Sequence, residues 1–173
     1  MKNIRYLTIF PIMVIMLISG SSIAHQPIKP QEACAYLTAE RFRGDLEYKK
    51  NLTTGGYSCS SLRKPVDKGE PLGSDIKYTV KGNEFETHQV SLLLRMNSHR
   101  ISTPVLREFL KYCSVIYEKA FGETLPSEIK KSILSAVRGE WKMHDHNLKL
   151  TRQHDRAFVY ELNFIIEKMV PTR

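Results

Sequence analysis

No catalytic or phosphate-binding signature is present in the 173-residue sequence. It has no GxSxG turn for a nucleophilic serine, no HExxH pair or CxxC motif to begin a zinc site, and no glycine-rich loop to cradle a phosphate. These absences remove the usual sequence routes to a hydrolase, a zinc enzyme or a nucleotide-binding protein. Internal repeats and low-complexity segments are missing as well, which argues against a solenoid or a disordered array. Aromatic residues make up 9% of the chain and are not interleaved with basic ones, as a single-strand nucleic-acid binder requires. Nucleic acid is therefore not favoured as a partner. Acidic residues are also scarce, 18 against 26 Lys plus Arg, for a formal charge of +8.

What is present begins with a leader. Lys2 and Arg5 precede an apolar stretch from Leu7 to Ile18, and Ser22 and Ala24 are small residues placed three and one before His25. This is the pattern of a secretory signal peptide over residues 1–24. The apolar stretch is short for a membrane span; left uncleaved, it would act as an N-terminal anchor. Removing 24 residues from 173 leaves 149, residues 25–173, which suits one exported domain with no membrane span after cleavage. The leader holds two basic and no acidic residues, so the charge falls from +8 to +6. That balance points to a protein with an acidic face, or to an anionic envelope component, as partner.

Export permits disulfides. Of the three cysteines, Cys113 falls within a helical apolar stripe, where a small buried thiol fits. Cys34, near the start of a helical segment, and Cys59, in a strand after a turn, are left to pair.

The order of elements is α-β-β-β-α-α-β-β. A helix is expected from Pro30 to about Phe42, stopped by Gly44. Strands follow over Tyr57–Leu62, Asp75–Val80 and Phe85–Met96, the last two with alternating apolar residues that put His88 on the inward side with Val90 and Leu92. Thr103-Pro104 opens a helix that Gly122 ends, and a second helix runs from Pro126 to Gly139. Strands over 141–152 and 157–168 complete the chain, the latter alternating from Phe158 to Ile166. Strands grouped around helices imply an α+β fold: one domain, an antiparallel sheet of about five strands, helices on one face.

The densest cluster of chemistry-bearing residues is WKMHDHNLKLTRQHDR, residues 141–156. Trp141 and Met143 share one parity and Leu148 and Leu150 the other, so a turn or bulge at Asp145-His146-Asn147 is expected, exposed to solvent. His144 and His146 point the same way on an extended strand, but a third ligand does not converge with them, and no metal or cofactor is expected. Glu161 and Glu167 face outward roughly 20 Å apart, too far to act as a catalytic pair. Arg138, Lys142, His144, His146, Lys149, Arg152 and Arg156 make up a candidate partner surface, a cationic edge. No catalytic residue emerges. The reading that follows is a small periplasmic or secreted binding protein, an inhibitor or immunity protein that neutralises an envelope-acting effector. The alternatives are an accessory subunit of an envelope or secretion assembly, and a basic secreted hydrolase or toxin using the histidines near 144–154.

Overall fold

A computed structural model describes residues 27–52, 55–69, 73–97, 102–155 and 159–169. Among them the elements are α1 (Pro30–Cys34), β1 (Gly44–Lys50), β2 (Tyr57–Ser61), β3 (Lys64–Pro65), β4 (Asp75–Gly82), β5 (Thr87–Met96), α2 (Thr103–Phe121), α3 (Ser127–Leu134), β6 (Gly139–Met143), β7 (His146–Asp155) and β8 (Val159–Lys168). The strands form one antiparallel sheet in the order β1-β2-β4-β5-β8-β7-β6, with β3 added beside β4. The fold is α+β, with eight strands rather than about five. The three additional strands are β1, the short β3, and one more from the division of the segment expected as a single strand into β6 and β7.

Alternation in the sequence becomes two unlike faces. Ile76, Tyr78 and Val80 of β4, Val90, Leu92, Leu94 and Met96 of β5, and Leu162, Phe164 and Ile166 of β8 are buried. They join one core cluster with Val105, Leu106, Phe109, Cys113, Ile116 and Tyr117 of α2 and with Ile129 and Ile133 of α3. The stripe of α2 recurs at three and four residues because those positions share a helix face. Gly122, at φ 70, receives the end of α2, and its N–H donates to the Glu118 carbonyl.

Cys34 and Cys59 form the expected disulfide, which fastens α1 to β2. Beside it, the buried Tyr78 hydroxyl donates to the Ala33 carbonyl at 2.7 Å. The Gln31 side chain then runs along the outer edge of β1. Its Oε1 accepts from the Tyr48 N–H at 3.0 Å, and its Nε2 donates to the Leu46 carbonyl at 3.4 Å. One side-chain amide thus stands in for a neighbouring strand, on an edge that would otherwise invite pairing.

Three expectations change for local backbone reasons. α1 stops at Cys34, not at about Phe42, and the chain continues in turns to Arg41, at φ 61. The second helix stops at Leu134, not Gly139. Ala136, at φ 50, takes the left-handed position after the helix, and the Ala136 and Val137 N–H groups return to the Ile133 and Ser132 carbonyls. Leu134 and Val137 are therefore exposed. Gly139 instead lies beneath Trp141: a Cβ there would run into the indole ring. At the start of β5, Lys81 pairs with Gln89 and Gly82 with Thr87, so His88 is the extra residue of a bulge. Its side chain is exposed while Thr87 is buried, the reverse of the expected inward His88.

Candidate functional site

The histidine-rich stretch is a tight hairpin. Met143 pairs with His146, so the turn is His144-Asp145, one residue earlier than expected and two residues long. That registration brings Trp141 opposite Leu148 and resolves the change of parity. It also turns His146 inward, where it is 3% exposed. The expectation of a solvent-exposed His146 is thus overturned. The Phe121 ring at the end of α2 contacts both imidazoles, at centroid distances of 5.7 Å to His144 and 5.6 Å to His146. Asp145 Oδ1 lies 2.7 Å from His146 Nδ1, and Glu123 Oε1 lies 3.4 Å from His144 Nε2. His144 adopts φ 55, which non-glycine residues seldom take. His154 pairs with Tyr160 at the far end of β7. Among the described residues no three His, Cys, Asp or Glu side chains form a metal-binding group.

Neither cysteine position offers a nucleophile. Cys59 is bonded to Cys34. Cys113 is fully buried, and burial pushes its thiol well above the ordinary range.

The seven residues of the cationic edge do not share a face. Lys142 and Lys149 project from the sheet on the side away from the core. Arg152 lies on the core side, its guanidinium 4.4 Å over the Tyr160 ring. Arg138 spans the β6–β7 edge, donating to the Arg152 carbonyl at 2.6 and 3.1 Å. His144 is at the hairpin turn and His146 is buried, so it adds nothing to a surface. Arg156 lies outside the described residues.

A different surface is assembled by the register. Among the described residues all three helices pack toward the core side of the sheet. The opposite face spans β1 to β6, and no helix among the described residues lies over it. Its cross-strand rows are Lys77–Leu93–Asn163–Thr151, then Thr79–Ser91–Ile165–Lys149–Glu140. Leu93 and Ile165 are diagonal neighbours on adjacent central strands, an apolar pair in a field of small hydroxyl and amide side chains. Ion pairs ring it. Arg95 reaches Glu161 at 3.0 Å, and Lys149 reaches Glu167 at 3.0 Å and Glu140 at 3.7 Å. The hydrogen bond to Glu167, and then its charge, raise the Lys149 pKa above the ordinary lysine value. Exposed pairs of this kind contribute only about 0–1 kcal/mol each; they fix side-chain positions more than they hold the fold. Glu161 and Glu167 stand on this face as expected, each committed to a cation. Sequence reasoning passed over Leu93 and Ile165. The signal was the break in alternation at Leu92-Leu93-Leu94 and Phe164-Ile165-Ile166, where apolar residues occupy both faces.

Comparison with family models, with curated proteins and with solved structures returns no match to this chain.

Proposed function

We propose that this chain is a small exported binding protein that works by protein–protein contact through the helix-free face of its sheet. Inhibition or neutralisation of an envelope-acting effector is the activity that suits such a module. The observation that carries the reading is the Leu93–Ile165 pair at the centre of that face. An apolar centre inside a polar, ion-paired rim is the anatomy of a protein-binding surface. A broad sheet of paired strands also presents its side chains rigidly, so little ordering entropy is lost on contact. The leader sequence supports export, and the Cys34–Cys59 bond is compatible with an oxidising compartment.

The test is affinity capture from the native envelope with wild type and with Leu93→Lys plus Ile165→Lys. Both positions are on the face away from the core, so the variant should melt like wild type. Loss of one captured protein in the variant, with the fold retained, is the expected result. Equal capture by both chains would refute the assignment of this face.

A further inference from the structure

We infer that the end of the sheet bearing the β1–β2 and β4–β5 hairpin tips seats on an anionic membrane surface. This inference stands independently of the sheet-face reading. Leu52, at the first tip, is 94% exposed, and Phe85, at the second, is 81% exposed. The tips belong to neighbouring hairpins, because Tyr57 at the start of β2 pairs with Gly82 at the end of β4. They are roughly 10 Å apart, two strand spacings. The Phe85 tip is held in shape: Asn83 Oδ1 accepts from the Phe85 N–H at 2.9 Å and the Glu86 N–H at 2.8 Å.

Behind the tips aromatic and basic residues share one band. Tyr48 and Tyr57 stack at 5.9 Å, one hydrogen-bonded to the Asn83 carbonyl. Lys50 pairs with Tyr57 and Lys81 with Ser58, so these lysines lie at the level of the tyrosines, while Lys49 is tied to Asp45 at 2.7 Å. An apolar tip backed by a band of amphipathic aromatics and lysines is the arrangement of a bilayer interface. Two separated projecting side chains make a poor protein-binding patch, which needs contiguous area, but a fluid interface requires no such complementarity.

Among the described residues Lys50 and Lys81 are the lysines of this end outside an ion pair, with Glu84 the exposed acid of the tip. An open cleft of about 620 Å³ beside the Phe85 tip is lined by Lys81, His88 and Lys168 together with Glu86 and Glu167. Glu86 is paired to Lys168 at 2.9 Å, and Glu167 to Lys149 at 3.0 Å. Among the described residues Lys81 has no such partner, so its charge is left for a lipid phosphate. The first described residues also lie at this end. Pro27 and Ile28 line a recess with Phe121 and Gly122, and Phe121 contacts the β6–β7 turn. Asp145 of that turn accepts from the N–H of Met169, which lines the cleft.

The experiment is vesicle co-sedimentation of the chain from His25 onward, which carries the buried core of the described residues from Ile28 to Ile166. Vesicles of phosphatidylglycerol mixed with phosphatidylcholine are compared with phosphatidylcholine alone. The wild-type chain should sediment with the anionic vesicles, and Leu52→Glu plus Phe85→Glu should weaken binding roughly tenfold or more. Lys50→Glu plus Lys81→Glu should reduce it to the phosphatidylcholine level. Thermal melts should show all three chains equally folded. No sedimentation above the phosphatidylcholine control, or binding that the tip variant leaves unchanged, would overturn the inference. So would a tip variant that loses capture of an envelope protein while wild type ignores lipid, since the tips would then be a protein contact.

Discussion

Replacing both Cys34 and Cys59 by alanine releases the tie between α1 and β2. The bonded residues are 25 apart in sequence, and closing a loop of that length limits the unfolded chain by about 3.5 kcal/mol on the chain-entropy account. Both half-cystines are buried, at 0% and 3% exposure, so the two lost sulfurs leave small voids that add about 1 kcal/mol. For a domain of this size that corresponds to a fall in Tm of roughly 10–15 °C. The loss should not be uniform. With α1 loosened, the Gln31 amide leaves the β1 edge, and hydrogen exchange at Leu46 and Tyr48 should accelerate before the central strands β5 and β8 respond. Thermal melts followed by circular dichroism give the first quantity, and exchange mass spectrometry the second. Iodoacetamide supplies the control: without reductant it should leave the native chain unmodified and label one thiol, Cys113, on denaturation. A Tm change below about 3 °C, or exchange that rises equally in all strands, would refute the reasoning.

Three further outcomes follow from the packing. His146→Ala removes a buried ring that contacts Phe121 and should cost about 2–3 kcal/mol in urea titration, whereas about 0.5 kcal/mol would mark a surface residue. Gly139→Ala places a methyl group under Trp141 and should cost about 1–3 kcal/mol; because Trp141 is the single tryptophan, its fluorescence should shift, and an unchanged spectrum would contradict the packing. Burial first, and then the Glu32 charge, push the Tyr36 phenol from 10.0 up to about 12, and burial raises Tyr78 well above its ordinary value. A pKa raised on folding stabilises fully below the unfolded value, so stability should hold up to pH 10 and fall as pH climbs from 10 to about 12. Tyrosinate absorbance should rise together with unfolding, and titration of these phenols as free tyrosines in an intact fold would refute their burial.

The parts of the fold that could be read in the sequence are those where one signal dominates. The alternation in β4, β5 and β8, the Thr103-Pro104 opening and Gly122 stop of α2, and the pairing of Cys34 with Cys59 each follow from one physical rule. Two of the misreadings share a cause. Left-handed backbone ordinarily announces itself by glycine or asparagine, but here Ala136 and His144 occupy it, at φ 50 and 55. The expected α3 stop therefore falls at Gly139, and the expected β6–β7 turn one residue late. β1 escaped notice because Gly44-Asp45-Leu46-Glu47-Tyr48-Lys49-Lys50 is an edge strand with only Leu46 and Tyr48 partly covered. The His88 bulge breaks the parity that alternation assumes. The candidate surface depended on which strands are neighbours. Leu93 and Ile165 are far apart in sequence and meet only because β5 pairs with β8. The clustered basic residues, close in sequence, are dispersed by the hairpin.

The central claim is that the helix-free face of the sheet meets a protein. A photo-crosslinking amino acid placed at Leu93, in cells expressing the full chain, tests it most directly. The comparison site is Lys131, exposed on α3 at the other side of the core. The account predicts a discrete crosslinked adduct from position 93 and none from 131. An adduct from position 131, with none from 93, would contradict it.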